Sequence, residues 1–86
     1  MRNVIRKFDL ATCGHVVTGS INVFVNGRGA SRVGIDIAGG IVLGPGNFTV
    51  LVNGFPISLI GDAVAGHGDE PHKHPIMTGG SNNVLA

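Results

Sequence analysis

The sequence predicts an all-β fold in which short β-hairpins repeat about a pseudo-threefold axis. Three observations support this prediction: the runs of strand-forming residues are too short for helices, two Asn-Gly pairs each follow a β-branched run, and one residue pattern recurs along the chain. With 86 residues, the chain has room for a single domain, which we place at 1–86.

The two Asn-Gly pairs predict tight hairpin turns. Asn26-Gly27 follows the run 21–25, and Asn53-Gly54 follows the run 48–52. Both central residues of a type I′ turn need a positive φ, which Asn tolerates and Gly adopts freely. Neither run approaches the ~10 residues of 3.6-residue periodicity that predict a helix. Both are therefore interpreted as strands that enter a two-residue turn.

The residue pattern around these turns occurs twice in full. Each copy contains Val-x-Val-Asn-Gly, then Ser four residues after the Gly, then a Gly shortly before an Asp. In the first copy the Asp, Asp36, comes one residue later than its counterpart Asp62, which indicates an insertion at Ile35. The spacing therefore predicts two equivalent arms with one irregular turn.

A third, shorter copy ends the sequence. Residues 78–85 match residues 18–24 with one extra Gly, and the copy stops after its first strand. A single hairpin cannot bury its apolar face, whereas three hairpins around an axis can. The alternative is two ordinary hairpins in a small β-sandwich whose sequences are similar by chance.

The composition argues against several function classes. Six basic and five acidic residues give a net charge of +1 without a basic block, and Trp and Tyr are absent, so nucleic-acid binding is not expected. No segment approaches the ~18 apolar residues that a membrane span requires, and no apolar run with a cleavage site follows the basic start. We therefore expect synthesis in the cytoplasm without a signal peptide, and a solvated basic arm containing Arg2, Arg6 and Lys7.

The only cysteine and all four histidines lie in two short loops. Cys13 and His15 form a Cys-Gly-His loop, and His67, His72 and His74 lie in the second loop. Each loop precedes a repeat unit by the same distance, because Cys and the last His each stand seven residues before the first Ser of the following copy. In a threefold arrangement such loops meet at one end of the molecule.

These residues predict a metal site. The preferred ligands are Cys13, His15, His67 and His72, with His74 as the alternative to His72. A Cys/His₃ set fits structural zinc, and iron is the second choice because it also takes imidazole ligands. A metal would stabilise a small core that has no internal disulfide, since there is only one cysteine. The competing interpretation is exposed loop histidines and a cysteine buried as a small apolar residue.

No enzymatic activity is expected. A catalytic zinc would need an open coordination position and a base, for which Asp69 or Glu70 would be the candidates. The Gly-rich segment 39–46 is followed neither by a helix signal nor by a Lys-Ser/Thr pair, so it does not predict a phosphate-binding loop.

The repeated pattern and the two loops resemble the PAAR-repeat proteins, which form the tip of contractile injection machines such as type VI secretion systems and phage tails. The resemblance covers Thr12 to Leu85 and rests on Gly-Ser-x-x-Val-x-Val-Asn-Gly-x-x-x-Ser-Arg-x-Gly…Asp, with Cys-Gly-His and Gly-His-Gly…Pro-His loops. At the positions of the Pro-Ala-Ala-Arg stretch that names the family, this chain reads Gly29-Ala30-Ser31-Arg32 and Pro56-Ile57-Ser58-Leu59.

The resemblance implies a small cone of three pseudo-equivalent β units. Its base would sit on a trimeric β-helical spike, VgrG-like or from a phage, with one tip per trimer. Its vertex would carry a zinc ion, and Cys13, His15, His67 and His72 match the metal-loop positions. The implied function is a structural tip that helps the spike puncture a target envelope and contacts the target membrane transiently, on a phage tail or a secreted injection particle. No toxin domain is expected beyond Ala86.

Two other functions compete with this one. The first alternative is a free-standing small metal-binding β module. The second is a metal hydrolase, which would need an open position on the metal.

Overall fold

The computed structural model describes residues 1–70 and 72–86. Within these residues the chain forms short strands, isolated bridges and turns, and it contains no helix, so the all-β prediction is confirmed. The described part contains seven strands: β1 (Phe24–Val25), β2 (Arg28–Gly29), β3 (Ile37–Ala38), β4 (Gly40–Gly44), β5 (Asn47–Val52), β6 (Phe55–Ile57) and β7 (Ala63–Val64). Across the same residues, nothing helical is present that is long and apolar enough to cross a bilayer.

Both Asn-Gly turns have the predicted conformation. The φ angle is 54° at Asn26 and 77° at Gly27, and it is 54° at Asn53 and 86° at Gly54. Positive φ at both central residues is the signature of the type I′ turn. The turns join β1 to β2 and β5 to β6 as antiparallel two-residue hairpins.

The N-terminus completes the third arm. The backbone N–H of Arg2 donates to the carbonyl of Ala86 at 3.1 Å, and the N–H of Ala86 donates back at 3.0 Å. The N–H of Val4 donates to the carbonyl of Val84 at 3.0 Å. The expectation that the third copy stops after one strand is therefore wrong, because its second strand comes from the start of the chain.

A closed ring of backbone hydrogen bonds marks the pseudo-threefold axis. The N–H of Ile5 donates to Ser58 at 2.9 Å, that of Ser58 donates to Ser31 at 2.9 Å, and that of Ser31 donates to Ile5 at 3.0 Å. All three residues are fully buried. We call them the axial ring. The same relation repeats in three bridges between arms: Arg6↔Ala30, Arg32↔Ile57 and Val4↔Leu59.

A buried aspartate follows the axial residue in each arm. One carboxylate oxygen accepts the backbone N–H at the start of the turn, from Arg6 to Asp9 at 2.8 Å, from Arg32 to Asp36 at 2.7 Å and from Leu59 to Asp62 at 2.8 Å. A buried carboxylate needs such donors to offset its desolvation. The hydrogen bond to Asp36 also raises the pKa of Arg32, so this side chain stays charged.

The predicted insertion at Ile35 is confirmed. The turn before Asp36 contains one residue more than the turns before Asp9 and Asp62, yet its carboxylate accepts the equivalent N–H. The extra residue is accommodated at the surface, where Ile35 is 43% exposed.

The basic N-terminal segment does not form a solvated arm. The Arg6 guanidinium is 13% exposed and its Nε lies 3.0 Å from the Asp9 carboxylate. Arg2 Nη1 donates to the Ile60 carbonyl at 3.1 Å. The prediction is wrong for Arg6, whose side chain is largely covered because the segment is the missing strand of the third arm. Arg2, at 45% side-chain exposure, and Lys7 keep exposed side chains.

Beyond its aspartate, each arm continues into a second antiparallel ribbon. The ribbons begin with the bridged pairs Leu10↔Val16, Ile37↔Ile41 and Ala63↔Ile76. The hairpin strands and the ribbons bury separate apolar clusters. The hairpin core contains Val4, Ala30, Val52, Ile57 and Leu59, and the ribbon core contains Ile5, Ala11, Cys13, Val17, Ala38, Val42, Val64 and Met77. The tips of the ribbons carry the candidate site.

Candidate metal centre

The tip of the first ribbon presents Cys13 and His15. A tight turn forms here because the N–H of Gly14 donates to Ala11 at 3.0 Å, and Gly14 has a φ of 88°. The two segments that flank the turn are paired, since the N–H of Ala11 donates to the carbonyl of His15 at 3.0 Å. Cys13 is buried at 9% exposure and belongs to the ribbon core, whereas His15 is exposed.

The tip of the third ribbon presents His67 and His72. The ribbon extends to the bond from the N–H of Val64 to Pro75 at 2.9 Å. Within the longer loop that follows, the N–H of His67 donates to the His72 carbonyl at 2.9 Å. This backbone bond holds the two histidines side by side.

Four donor atoms meet between the two tips. The nitrogen and sulfur atoms that Cys13, His15, His67 and His72 can offer to a metal all lie within 4.8 Å of one another. Cys13 Sγ is 3.3 Å from His15 Nδ1, which is 3.1 Å from His67 Nε2, and that nitrogen is 3.2 Å from His72 Nδ1. The cluster can therefore hold a metal ion.

Three of the six donor separations are close to those around a tetrahedral ion, and the other three lie within 4.8 Å. Zinc bonds of ~2.0–2.1 Å to nitrogen and ~2.3 Å to sulfur put neighbouring donors about 3.3 Å apart for two nitrogens and about 3.6 Å apart for nitrogen and sulfur. The observed distances of 3.1–3.3 Å are close to these edges. One thiolate and three imidazoles are also a donor set that zinc accepts.

The three imidazole rings surround a common point. The ring centroids of His15, His67 and His72 are 4.9, 4.9 and 5.0 Å apart, which is nearly an equilateral triangle. The interplanar angles are 64°, 51° and 51°, so the rings are tilted relative to one another and do not stack. This arrangement aims three ring nitrogens inward.

A backbone carbonyl fixes the tautomer of His67. Its Nδ1 lies 3.0 Å from the carbonyl oxygen of Ala65. A carbonyl can only accept, so Nδ1 carries the hydrogen and Nε2 keeps a lone pair for the cluster. Metal-binding histidines typically have their second nitrogen bound in this way, which orients the ring.

The structure brings together the four preferred ligands and leaves the alternatives outside. His74 is exposed and is not among the residues of the cluster, and the same holds for Asp69 and Glu70. Of the three histidines in this loop, His67 and His72 therefore belong to the cluster and His74 does not.

Sequence analysis missed the part that the second ribbon plays. Its tip is formed by Gly39 and Gly40, which lie directly against the histidines. The signal was the repeat itself: Cys13, Gly40 and Gly66 each stand four residues after a buried aspartate. Counting from the aspartates would have placed the second tip beside the predicted ligands.

Comparison with protein-family models, with curated proteins and with solved structures returned no match for this chain.

Proposed function

We propose that this protein is the structural tip of a contractile injection machine of the phage-tail or type VI secretion class. It would cap and sharpen a trimeric β-helical central spike, with one tip per trimer, and it would have no catalytic activity. The observation that carries this proposal is the axial ring of Ile5, Ser31 and Ser58, because three like arms can meet a threefold partner with similar contacts.

The hairpin strands supply a suitable contact surface. Phe24, Leu51 and Leu85 occupy equivalent positions in the three arms and are 60%, 58% and 47% exposed. Ile21 and Phe48, which are equivalent in the first two arms, are 90% and 70% exposed. Exposed apolar side chains that recur around an axis favour a protein partner with the same symmetry.

The metal would stabilise the opposite part of each arm. Only Cys13 of the four ligands is buried, so the loops that carry the histidines lie beyond the reach of the ribbon core. An ion bound by these loops would join the first and third ribbons and keep the ribbon tips folded under mechanical load. Zinc is the preferred ion because one thiolate and three imidazoles are a four-donor set that structural zinc accepts, and iron is the second choice.

The role in the injection particle follows from these two features. A flat trimer displaces a wide area of envelope, whereas a narrow metal-stabilised vertex concentrates the force. We propose that the protein is made in the cytoplasm, is assembled on the particle and contacts the target membrane during puncture.

The proposal is tested by co-expression with a candidate trimeric β-helical spike protein from the same source. Native mass spectrometry of the purified complex is expected to show one tip for three spike chains. Leu51→Asp should abolish the complex. The control is Leu43→Asp, since Leu43 lies on a ribbon strand and is also 58% exposed. A tip that stays monomeric beside the folded trimer would instead favour a free-standing metal-binding module.

A further inference from the structure

The tip of the second ribbon contacts the ligand cluster without supplying a ligand. A Cβ atom built on Gly39 would lie 2.5 Å from His67 Nε2 and 2.6 Å from His15 Nδ1. A Cβ built on Gly40 would lie 2.2 Å from the Ala65 carbonyl oxygen and 3.1 Å from His67 Nδ1. Atoms cannot approach so closely, so a side chain at this tip would displace the histidine rings or the Ala65 carbonyl from these positions.

The second ribbon also holds the carbonyl that orients His67. The N–H of Ala65 donates to the Ile41 carbonyl at 2.8 Å, which ties the third ribbon to β4. The carbonyl of Ala65 accepts the Nδ1 hydrogen of His67 at 3.0 Å, and Gly40 lies against that same oxygen. The position of the second ribbon therefore determines where His67 Nε2 points.

We infer that Gly39 and Gly40 are positioning residues of the metal site. The second ribbon gives no ligand and instead forms a backbone wall, which sets the His67 and His15 rings and closes that side of the site to a further ligand. This inference rests on the proposed metal, and it adds the prediction that coordination stops at the four named donors.

Turn geometry alone does not explain both glycines. Gly39 has a φ of 82°, which by itself favours glycine, as it does at Gly34, where φ is 89° and a Cβ would meet nothing within 4 Å. Gly40 has no positive φ, so its backbone conformation is open to any residue. Close approach to the Ala65 carbonyl and to His67 is the feature that requires glycine at position 40.

The test uses Co²⁺ as a spectroscopic probe in place of zinc. Wild-type protein and Gly34→Ala are expected to bind one ion per chain with the intense visible bands of tetrahedral Co²⁺. In Gly39→Ala and Gly40→Ala, misplaced donors should weaken Co²⁺ binding by about 10-fold or more. Gly34→Ala controls for the strain that alanine suffers at positive φ.

Thermal unfolding in chelator separates positioning from a general folding role. Without metal the histidine rings can move aside, so Gly39→Ala should unfold within a few degrees of Gly34→Ala and lose only the metal-dependent rise in Tm. Equal Co²⁺ affinity in Gly39→Ala and Gly34→Ala would overturn the inference. The weak bands of six-coordinate Co²⁺ in the wild type would also overturn it while leaving the metal site standing, whereas a wild type that binds no metal would overturn the proposed vertex itself.

Discussion

The hairpin end and the ribbon end of the three arms keep the repeat to different degrees. At the hairpin end, each arm pairs two strands and hydrogen-bonds to its neighbours in the same pattern, even where the chain begins and ends. At the ribbon end, one tip is a Cys-Gly-His turn, one is a glycine pair and one is a longer loop. The repeated part builds the frame, and the part that departs from the repeat carries the four candidate metal ligands.

The difference follows from the kind of bond at each end. The axial ring uses only peptide groups, so it tolerates Ile5 where the other arms have Ser31 and Ser58. A metal site depends on particular side-chain atoms, and four of them suffice for a tetrahedral ion. Three identical tips would offer ligands in multiples of three, so the site requires arms that differ.

The largest expected effect comes from removing a ligand at the ribbon end. His67→Ala should abolish metal binding and lower stability by about 5 kcal/mol or more, which corresponds to roughly 20 °C in Tm. Cys13→Ser should act in the same direction. Elemental analysis and calorimetry of the same samples measure the two effects.

The matched control for the ligand variants is His74→Ala. This histidine lies in the same loop but is exposed and stands outside the cluster, so metal content and Tm should stay as in the wild type. Loss of metal in His74→Ala with retention in His72→Ala would exchange the assignment of these two residues.

A smaller effect is expected from the aspartates between the two ends. Asp62 is fully buried and accepts hydrogen bonds from Leu59 N–H, Ser58 Oγ and Gly46 N–H. Asp62→Ala leaves these donors without a partner and should cost about 3 kcal/mol in urea unfolding. Arg2→Ala removes an ion pair at 3.7 Å from a half-exposed side chain and should cost below about 1 kcal/mol. Equal losses would show that the ion pair, and not the backbone donors, holds Asp62.

A substitution at the hairpin end should lower the stability of the protein without changing its metal content. Asn53 has a φ of 54°, accepts from Ser20 Oγ at 2.8 Å and donates to Asn22 at 2.9 Å. Asn53→Ala should cost about 1–2 kcal/mol, because alanine is disfavoured at positive φ and the bonds are lost. Metal content should not change. Asn82→Ala is the control, since its side chain is exposed.

The smallest effect is expected within the axial ring. Among the described residues the Ser31 hydroxyl is buried without a hydrogen-bond partner, whereas the Ser58 hydroxyl donates to Asp62 at 3.2 Å. Ser31→Ala should therefore be neutral to within about 0.5 kcal/mol or slightly stabilising, and Ser58→Ala should cost about 1 kcal/mol. Urea unfolding of both variants measures the difference, and a larger loss in Ser31→Ala would reveal a partner for its hydroxyl.

Much of this frame can be predicted from the sequence because backbone requirements leave visible residues. The Asn-Gly turns need a positive φ, and the irregular turn at Ile35 follows from counting to the aspartate. The ligand residues are rare in the chain and fall into two loops, so the cluster of four is also visible in the sequence.

No comparable sequence pattern identifies the second strand of the third arm. Ile5 stands where the other arms have serine, and Phe8, with a φ of 75°, stands where Gly61 has a φ of 89°. Since neither the serine nor the glycine is kept, only the spacing from Arg6 to Asp9 reveals the relation. The contacts of Gly39 were equally hidden, because they depend on where two distant loops meet.

The pairing of Arg2 with Ala86 and of Val4 with Val84 governs when the protein can fold. On the ribosome, the strand with Arg2 and Val4 is made well before its partner with Val84 and Ala86, so the third arm cannot pair until that partner has emerged. Each residue of the axial ring hydrogen-bonds to both of the others, so the ring closes only when all three arms are in place. We therefore expect comparatively slow folding, because pairings between distant parts of the chain dominate the fold.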